Sequence, residues 1–183
     1  MIQDLKERAD FWAEAVGATP DVYSVVFFDE RKLKLFDGRN VLEVGPGDGA
    51  QYRRLKGICR SYAIADISAE VLLRPIFEGI NTRLHIQHYD QDFKVRFDVI
   101  HFWRVIHHVL PDEVREFGGW LHRHLRPDGL LCFDLPDTGM QKSEYGCDGK
   151  YTVPHTLESI TVALKPFFAP LDCEPRFYCG RPK

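Results

Sequence analysis

Apolar positions fall into two rhythms along this chain. Short, mostly apolar runs lie at Val41–Val44, Ser61–Asp66, Phe97–Phe102 and Leu130–Asp134, and an alternating one at Arg83–Gln87. Such runs, rich in Val, Ile and Phe and closed by turn residues, predict strands buried in a sheet. Between them apolar residues recur at three- and four-residue steps, the spacing of a helix face. These segments predict helices over 50–56, from Ala69 to about Phe77 with Pro75 shortening or kinking it, and from Asp112 through Val114, Phe117, Trp120, Leu121 and Leu125. Arg126-Pro-Asp-Gly129 reads as a turn into the last of those strands.

Outside this alternation the pattern changes. Ile2, Leu5, Ala9, Trp12 and Val16 share one stripe, predicting a helix over 2–16 with Gly17 as its stop. Thr19-Pro20-Asp21 offers the cap, first-turn proline and early acid of a second helix carrying Val22, Tyr23, Val25, Val26 and Phe27. Asp37-Gly38 makes the turn into the first strand. Residues 1–39 thus read as a helical cap, either covering the sheet or closing over a pocket as a lid, ahead of a domain over 40–183. After Asp134 comes a long polar loop to Pro154 with three glycines, then a helix over 156–164. Two short strands follow near Leu171-Asp-Cys and Phe177-Tyr-Cys, with Pro175 at their turn.

Strands alternating with helices predict an α/β fold, a doubly wound and mostly parallel sheet. Ligands of such sheets bind beyond the carboxyl ends of the strands. That rule selects the stretch Asn40-Val-Leu-Glu-Val-Gly-Pro-Gly-Asp-Gly-Ala50. Its strand runs into Gly45, Gly47 and Gly49, where backbone passes close to a ligand or takes positive φ, and a helix start follows. Asp66 ends the second strand about 20 residues after the glycines, where a carboxylate accepts hydrogen bonds from a ribose diol. Asp90 and Trp103 also fall at carboxyl ends of strands. Gly45-x-Gly47-x-x-Ala50 with Asp66 fits a nicotinamide dinucleotide as well, which keeps an oxidoreductase open. Glu43 argues against it, because a dinucleotide strand is usually apolar there.

Glu43 and the Gly-Pro-Gly-Asp-Gly loop together resemble motif I of the class I methyltransferases that use S-adenosylmethionine, and the resemblance extends in order over residues 40–134. It implies a Rossmann-like sheet of order 3-2-1-4-5-7-6 with an antiparallel C-terminal strand. It implies that Glu43, Gly45, Pro46, Gly47, Gly49, Asp66 and Ile67 hold S-adenosylmethionine, with Asp90 and Gln91 at the adenine. Phe97-Asp-Val-Ile, Ile106-His-His108 and His124-Leu-Arg-Pro-Asp-Gly-Leu-Leu are similar to later family segments. Two departures stand out. The segment from Asp90 to Phe97 is short, and Trp103-Arg104 replaces small residues, so these two side chains are further candidates for contact with cofactor or substrate.

Methyl transfer needs a nucleophile held in line with the sulfonium methyl and shielded from water. A base helps only where the acceptor must lose a proton. His107 and His108 are the candidates, since histidine titrates near neutrality. Tyr145 and His155, in or near the late loop, are weaker ones. Neither the His pair nor His122-Arg-His124 has a Cys or acid at ligand spacing, so no metal is expected. The bulk numbers narrow the partner. A net charge of −3 with no basic run gives a nucleic-acid backbone little to bind, and the acceptor expected is a small molecule. No apolar run approaches the roughly 20 residues that span a bilayer, and the N-terminus is too charged for a signal peptide. Five scattered cysteines without a CxxC pair suggest reduced thiols and a cytoplasmic protein. A non-catalytic scaffold that keeps the fold remains the third reading. The sequence assigns no oligomeric state.

Overall fold

The computed structural model describes residues 5–18, 30–135, 153, 155–174 and 177–183. The second predicted helix with Tyr23 and Phe27, most of the polar loop with Tyr145, and Pro175 lie outside them. The chain forms two compact units, Met1–His88 and Tyr89–Lys183.

The first unit contains α1 (Leu5–Ala18), α2 (Glu30–Leu33), β1 (Asn40–Val44), α3 (Ala50–Leu55), β2 (Ser61–Asp66), α4 (Ala69–Leu72) and β3 (Thr82–His85). β1 pairs β2, and β2 pairs β3, both parallel. Val41, Leu42 and Val44 are buried, as an interior parallel strand requires, with Glu43 buried between them. Gly38 takes φ 63, the left-handed turn into β1. α4 stops at Leu72 and the chain resumes as a 3-10 turn over Pro75–Phe77, because Pro75 has no N–H to continue an α-helix. Ile64, Val71, Leu72, Phe77 and Ile80 form a core, with Tyr52, Tyr62 and Ile76 packed against it. α1 runs through Gly17 to Ala18 and lies against α4, where the Arg74 guanidinium donates to the Ala13 carbonyl at 3.5 Å.

The second unit contains β4 (Phe97–Phe102), α5 (Val114–His124), β5 (Leu125–Asp134), α6 (Leu157–Leu164), β6 (Phe168–Glu174) and β7 (Phe177–Pro182). β4 and β5 are parallel, whereas β7 is antiparallel to both β5 and β6. The strand order is β3-β2-β1-β4-β5-β7-β6, the Rossmann-like order expected, with its reversed C-terminal strand. Phe102, Phe133 and Tyr178 stack in a row across β4, β5 and β7, each ring pair 4.7 Å apart. The stripe of α5 buries Val114, Phe117, Trp120, Leu121 and His124. Gly118 lets α6 approach closely: a Cβ there would stand 2.7 Å from Leu164 Cδ2. Thr156 and Ser159 close a capping box on α6.

Four strands differ in their bounds from expectation. β5 starts at Leu125 rather than Leu130, and its register with β4 jumps from Phe97↔Leu125 to Val99↔Leu130. The predicted turn Arg126–Gly129 is therefore an excursion within the strand. β6 and β7 are longer than expected, because β6 is an edge strand and tolerates Pro170. β3 ends at His85, two residues early.

Candidate functional site

In the first unit, β1 delivers the chain into a loop of three left-handed glycines, Gly45 (φ 65), Gly47 (φ 54) and Gly49 (φ 80). The Gly45 N–H donates to the Ala65 carbonyl at 2.8 Å, tying the loop to β2. The Gly49 N–H donates to the Pro46 carbonyl at 2.8 Å, and the Asp48 carboxylate accepts from the Ala50 N–H at 3.0 Å, closing the turn onto α3. A Cβ on Gly47 would meet nothing within 4 Å among the described residues. A Cβ on Gly49 would meet Ile76 Cγ1 at 2.9 Å. Gly49 therefore lets the loop sit on its own core, while Gly47 has room for a side chain among the described residues.

Two carboxyl groups frame the loop. Glu43, 2 % exposed, accepts a 2.8 Å hydrogen bond from the Tyr62 hydroxyl. Burial pushes its pKa up to about 8; the Tyr62 bond opposes that, and Asp48 and Asp66 add to it. Asp66 is buried at the end of β2, where its Oδ1 accepts from the Ser68 N–H at 2.8 Å. Burial raises its pKa to about 7, against the lowering effect of the Ser68 and Ile67 amides and of Arg74. The Ser68 hydroxyl caps α4, and the Ile67 carbonyl is bonded to the His85 ring at 3.1 Å. The sequence-predicted set Glu43, Gly45, Pro46, Gly47, Gly49, Asp66 and Ile67 is thus brought together on one unit. Buried carboxyls with raised pKa beside a glycine loop mark a candidate functional site.

In the second unit, Asp90 is exposed and Gln91 half-buried. Their segment is held by the end of α5. The Arg123 guanidinium donates to the Tyr89 carbonyl. The His124 ring donates from Nδ1 to the Trp120 carbonyl at 2.8 Å and accepts at Nε2 from the Phe93 N–H at 3.1 Å. That pair of bonds fixes a neutral tautomer, and burial lowers the His124 pKa. Lys94 and Arg96 hold Asp92 well below the usual carboxylate range.

Beyond β4, the Trp103 indole donates to His101 Nδ1 at 2.8 Å and stacks on Phe177 at 6.1 Å and 13°. Arg104 has φ 56, and its N–H donates to Asp134 Oδ1 at 2.6 Å. His107 and His108 lie on a 3-10 turn over Ile106–His108 with ring centroids 3.8 Å apart. His107 is 1 % exposed; burial, then His108, Arg104 and His155, pull its pKa down to about 2. The His107 carbonyl accepts from the Val153 N–H at 2.7 Å, and the Val109 carbonyl is bonded to the His155 ring at 2.8 Å. His155 thereby anchors this turn. Sequence reasoning gave no role to Tyr62, His101 or Asp134. Only Asp134 left a signal, an acid at the carboxyl end of a strand. Among the described residues no group of three His, Cys, Asp or Glu is placed to hold a metal ion.

The profile of the methyltransferase domain family matches residues 24–162. No curated protein matches the chain. Among solved structures the fold resembles DhpI in complex with SAH, at 19 % identity and TM-score 0.68, covering 97 % of this chain and 96 % of that one. It also resembles the N-methyltransferase NodS from Bradyrhizobium japonicum WM9 in complex with S-adenosyl-L-homocysteine, at 16 % identity and TM-score 0.68, covering 95 % and 97 %. An S-adenosylmethionine-dependent methyltransferase from Clostridium acetobutylicum ATCC 824 aligns at 16 % identity and TM-score 0.68, over 96 % and 98 %.

Proposed function

Because the chain belongs to the methyltransferase domain family and is a class I S-adenosylmethionine-dependent methyltransferase, we propose that it methylates an O, N or C nucleophile of a small molecule. The nicotinamide and scaffold readings give way to that membership. The observation that carries the site is the left-handed glycine loop flanked by two buried carboxyls, Glu43 and Asp66. S-Adenosylmethionine supplies a sulfonium methyl that leaves with its bonding pair on sulfur.

The chain's own residues bind and orient. Gly45, Pro46, Gly47 and Gly49 form the cradle, and the open space at Gly47 fits backbone approach by a ligand. Asp66 accepts from the ribose diol, with the Ile67 backbone beside it. Glu43 would meet the cationic end, whose nearby positive charge would lower its pKa and favour the carboxylate, the proton passing to solvent. Asp90 and Gln91 serve the adenine, and Trp103 and Arg104 border cofactor or acceptor. A base role, where the acceptor must lose a proton, falls to His108. His107 suits it poorly, since a group with pKa near 2 holds a proton too weakly at neutral pH. Residues 1–39 are proposed as the helical cap of this domain. A small-molecule acceptor rather than nucleic acid fits the net charge of −3. A cytoplasmic setting fits the reduced thiols of Cys132 and Cys179, the first donating to the second at 3.6 Å. No helix among the described residues is long and apolar enough to cross a membrane.

Calorimetric titration with S-adenosylhomocysteine tests the site. Asp66→Ala removes a charge-assisted acceptor and is expected to weaken binding by about 30-fold. Absence of binding by the unaltered protein sinks the proposal. His108→Ala is expected to lower kcat toward an ionisable acceptor while that titration stays unchanged.

A further inference from the structure

Arg104 is one of two non-glycine residues with positive φ among the described residues. The left-handed region crowds the Cβ of any L-residue, and such backbone persists only where its surroundings over-determine it. Here the surroundings are visible. On the N-terminal side, Trp103 is fixed by its bond to His101 and its stack on Phe177. On the C-terminal side, the His108 N–H donates to the Val105 carbonyl at 2.8 Å, closing the 3-10 turn that carries both histidines. Between these anchors the Arg104 N–H donates to Asp134 Oδ1 at 2.6 Å. Asp134 comes from the end of β5, is 2 % exposed, and lies 30 positions away in sequence. A buried carboxylate is costly unless it is used.

We propose that Asp134 is a positioning residue: it clamps the left-handed backbone at Arg104 and thereby sets the conformation of Arg104 and of the His107–His108 turn, the residues proposed above to serve cofactor or acceptor. The inference rests on the reading above that these residues border the reaction. Burial carries the Asp134 pKa up to about 6, against the lowering effect of the Arg104 N–H and of the Arg104 charge. Its β7 partner Phe177 and the adjacent β4-end residue Trp103 carry no titratable group. The clamp is thus strongest as the carboxylate and weakens as pH falls through about 6.

The test is a double-mutant cycle read by calorimetric titration with S-adenosylhomocysteine. Asp134→Ala is expected to weaken binding about tenfold, and Asp134→Asn, which keeps an acceptor oxygen, by less than about threefold. Arg104→Gly, where glycine takes φ 56 freely, carries its own loss. In that background Asp134→Ala is expected to cost less than about twofold, because glycine no longer needs the clamp. The ratio of wild-type to Asp134→Asn affinity is expected to fall towards one below pH 6. Equal Asp134→Ala losses in both backgrounds, or wild-type binding by Asp134→Ala, overturn the proposal. Should Asp134→Ala not fold, judged by circular dichroism, Asp134→Asn and the pH ratio decide it, a flat ratio overturning it. Failure of the unaltered protein to bind at all refutes the site reading instead.

Discussion

Gly49→Ala separates the two duties of the glycine loop. At φ 80 an alanine takes on the left-handed penalty, about 1–2 kcal/mol. Its Cβ would also lie 2.9 Å from Ile76 Cγ1, 3.1 Å from Phe77 Cε1 and 3.3 Å from Ile76 Cγ2. Phe77 is wholly buried in the first unit's core and gives way little, so overpacking adds roughly 1–3 kcal/mol. Loss of chain entropy in the unfolded state returns less than about 1 kcal/mol. The net expectation is about 2–4 kcal/mol of destabilisation. Gly47→Ala, at φ 54 and with open space, incurs only the backbone penalty, about 1 kcal/mol. Urea unfolding followed by far-UV circular dichroism measures both. Thermal midpoints should drop by roughly 5–10 °C for Gly49→Ala and about 3 °C for Gly47→Ala. Adding Ile76→Ala to Gly49→Ala relieves the nearest clash, so the second substitution should cost less there than in wild type. Equal losses at 47 and 49 would refute the reasoning, as would additivity with Ile76→Ala. Gly47→Ala should nevertheless damage S-adenosylhomocysteine binding, because its methyl enters the open cradle.

Other outcomes follow from the buried polar groups. The Glu43 pKa is raised from 4.5 to about 8, so its contribution favours the fold below pH 4.5 and is lost as pH rises towards 8. Glu43→Gln removes that dependence; the stability difference between variant and wild type should change by several kcal/mol between pH 5 and 8, and parallel profiles would contradict it. Tyr62→Phe deletes the hydroxyl that steadies the ionised form, so it should steepen the same decline and cost about 1–2 kcal/mol near pH 8. His124→Ala leaves the Phe93 N–H and Trp120 carbonyl without their partner and should cost about 2–4 kcal/mol by urea midpoint, with faster hydrogen exchange at the Phe93 amide. The lowered His124 pKa means its support is complete above about pH 6.5 and is lost as pH falls.

Much of the fold was legible because interior parallel strands are contiguous apolar runs. β1, β2 and β4 and the glycine loop were located from Val41–Val44, Ser61–Asp66 and Phe97–Phe102 alone. What escaped depends on contacts distant in sequence. Leu125 joins β5 only because Phe97 lies opposite it, and the exposed Arg126-Pro-Asp between advertises a turn. In the candidate site, Asp66 was legible as an acid at a strand end and Glu43 as an acid inside the strand ahead of the glycine loop. The clamp of Asp134 on Arg104 was not, since nothing in an Arg announces a positive φ. His124 looked like part of a His-rich patch, yet both ring nitrogens serve backbone groups.

The missing side chain at Gly118 reaches beyond packing into how this chain can change. A helical glycine forgoes about 1 kcal/mol against alanine, yet alanine here would put its Cβ 2.7 Å from Leu164 Cδ2 and 3.2 Å from Phe167 Cδ2. At Gly119 the nearest ring atom of Phe167 would be 3.5 Å away, which is ordinary contact. Gly119→Ala is therefore an open substitution and Gly118→Ala a closed one, unless residue 164 shrinks first. The two sites are epistatic: the order in which they mutate decides which intermediates fold. Related chains that carry a side chain at 118 should carry a smaller one at 164, and a designer who enlarges this helix pair must alter both together.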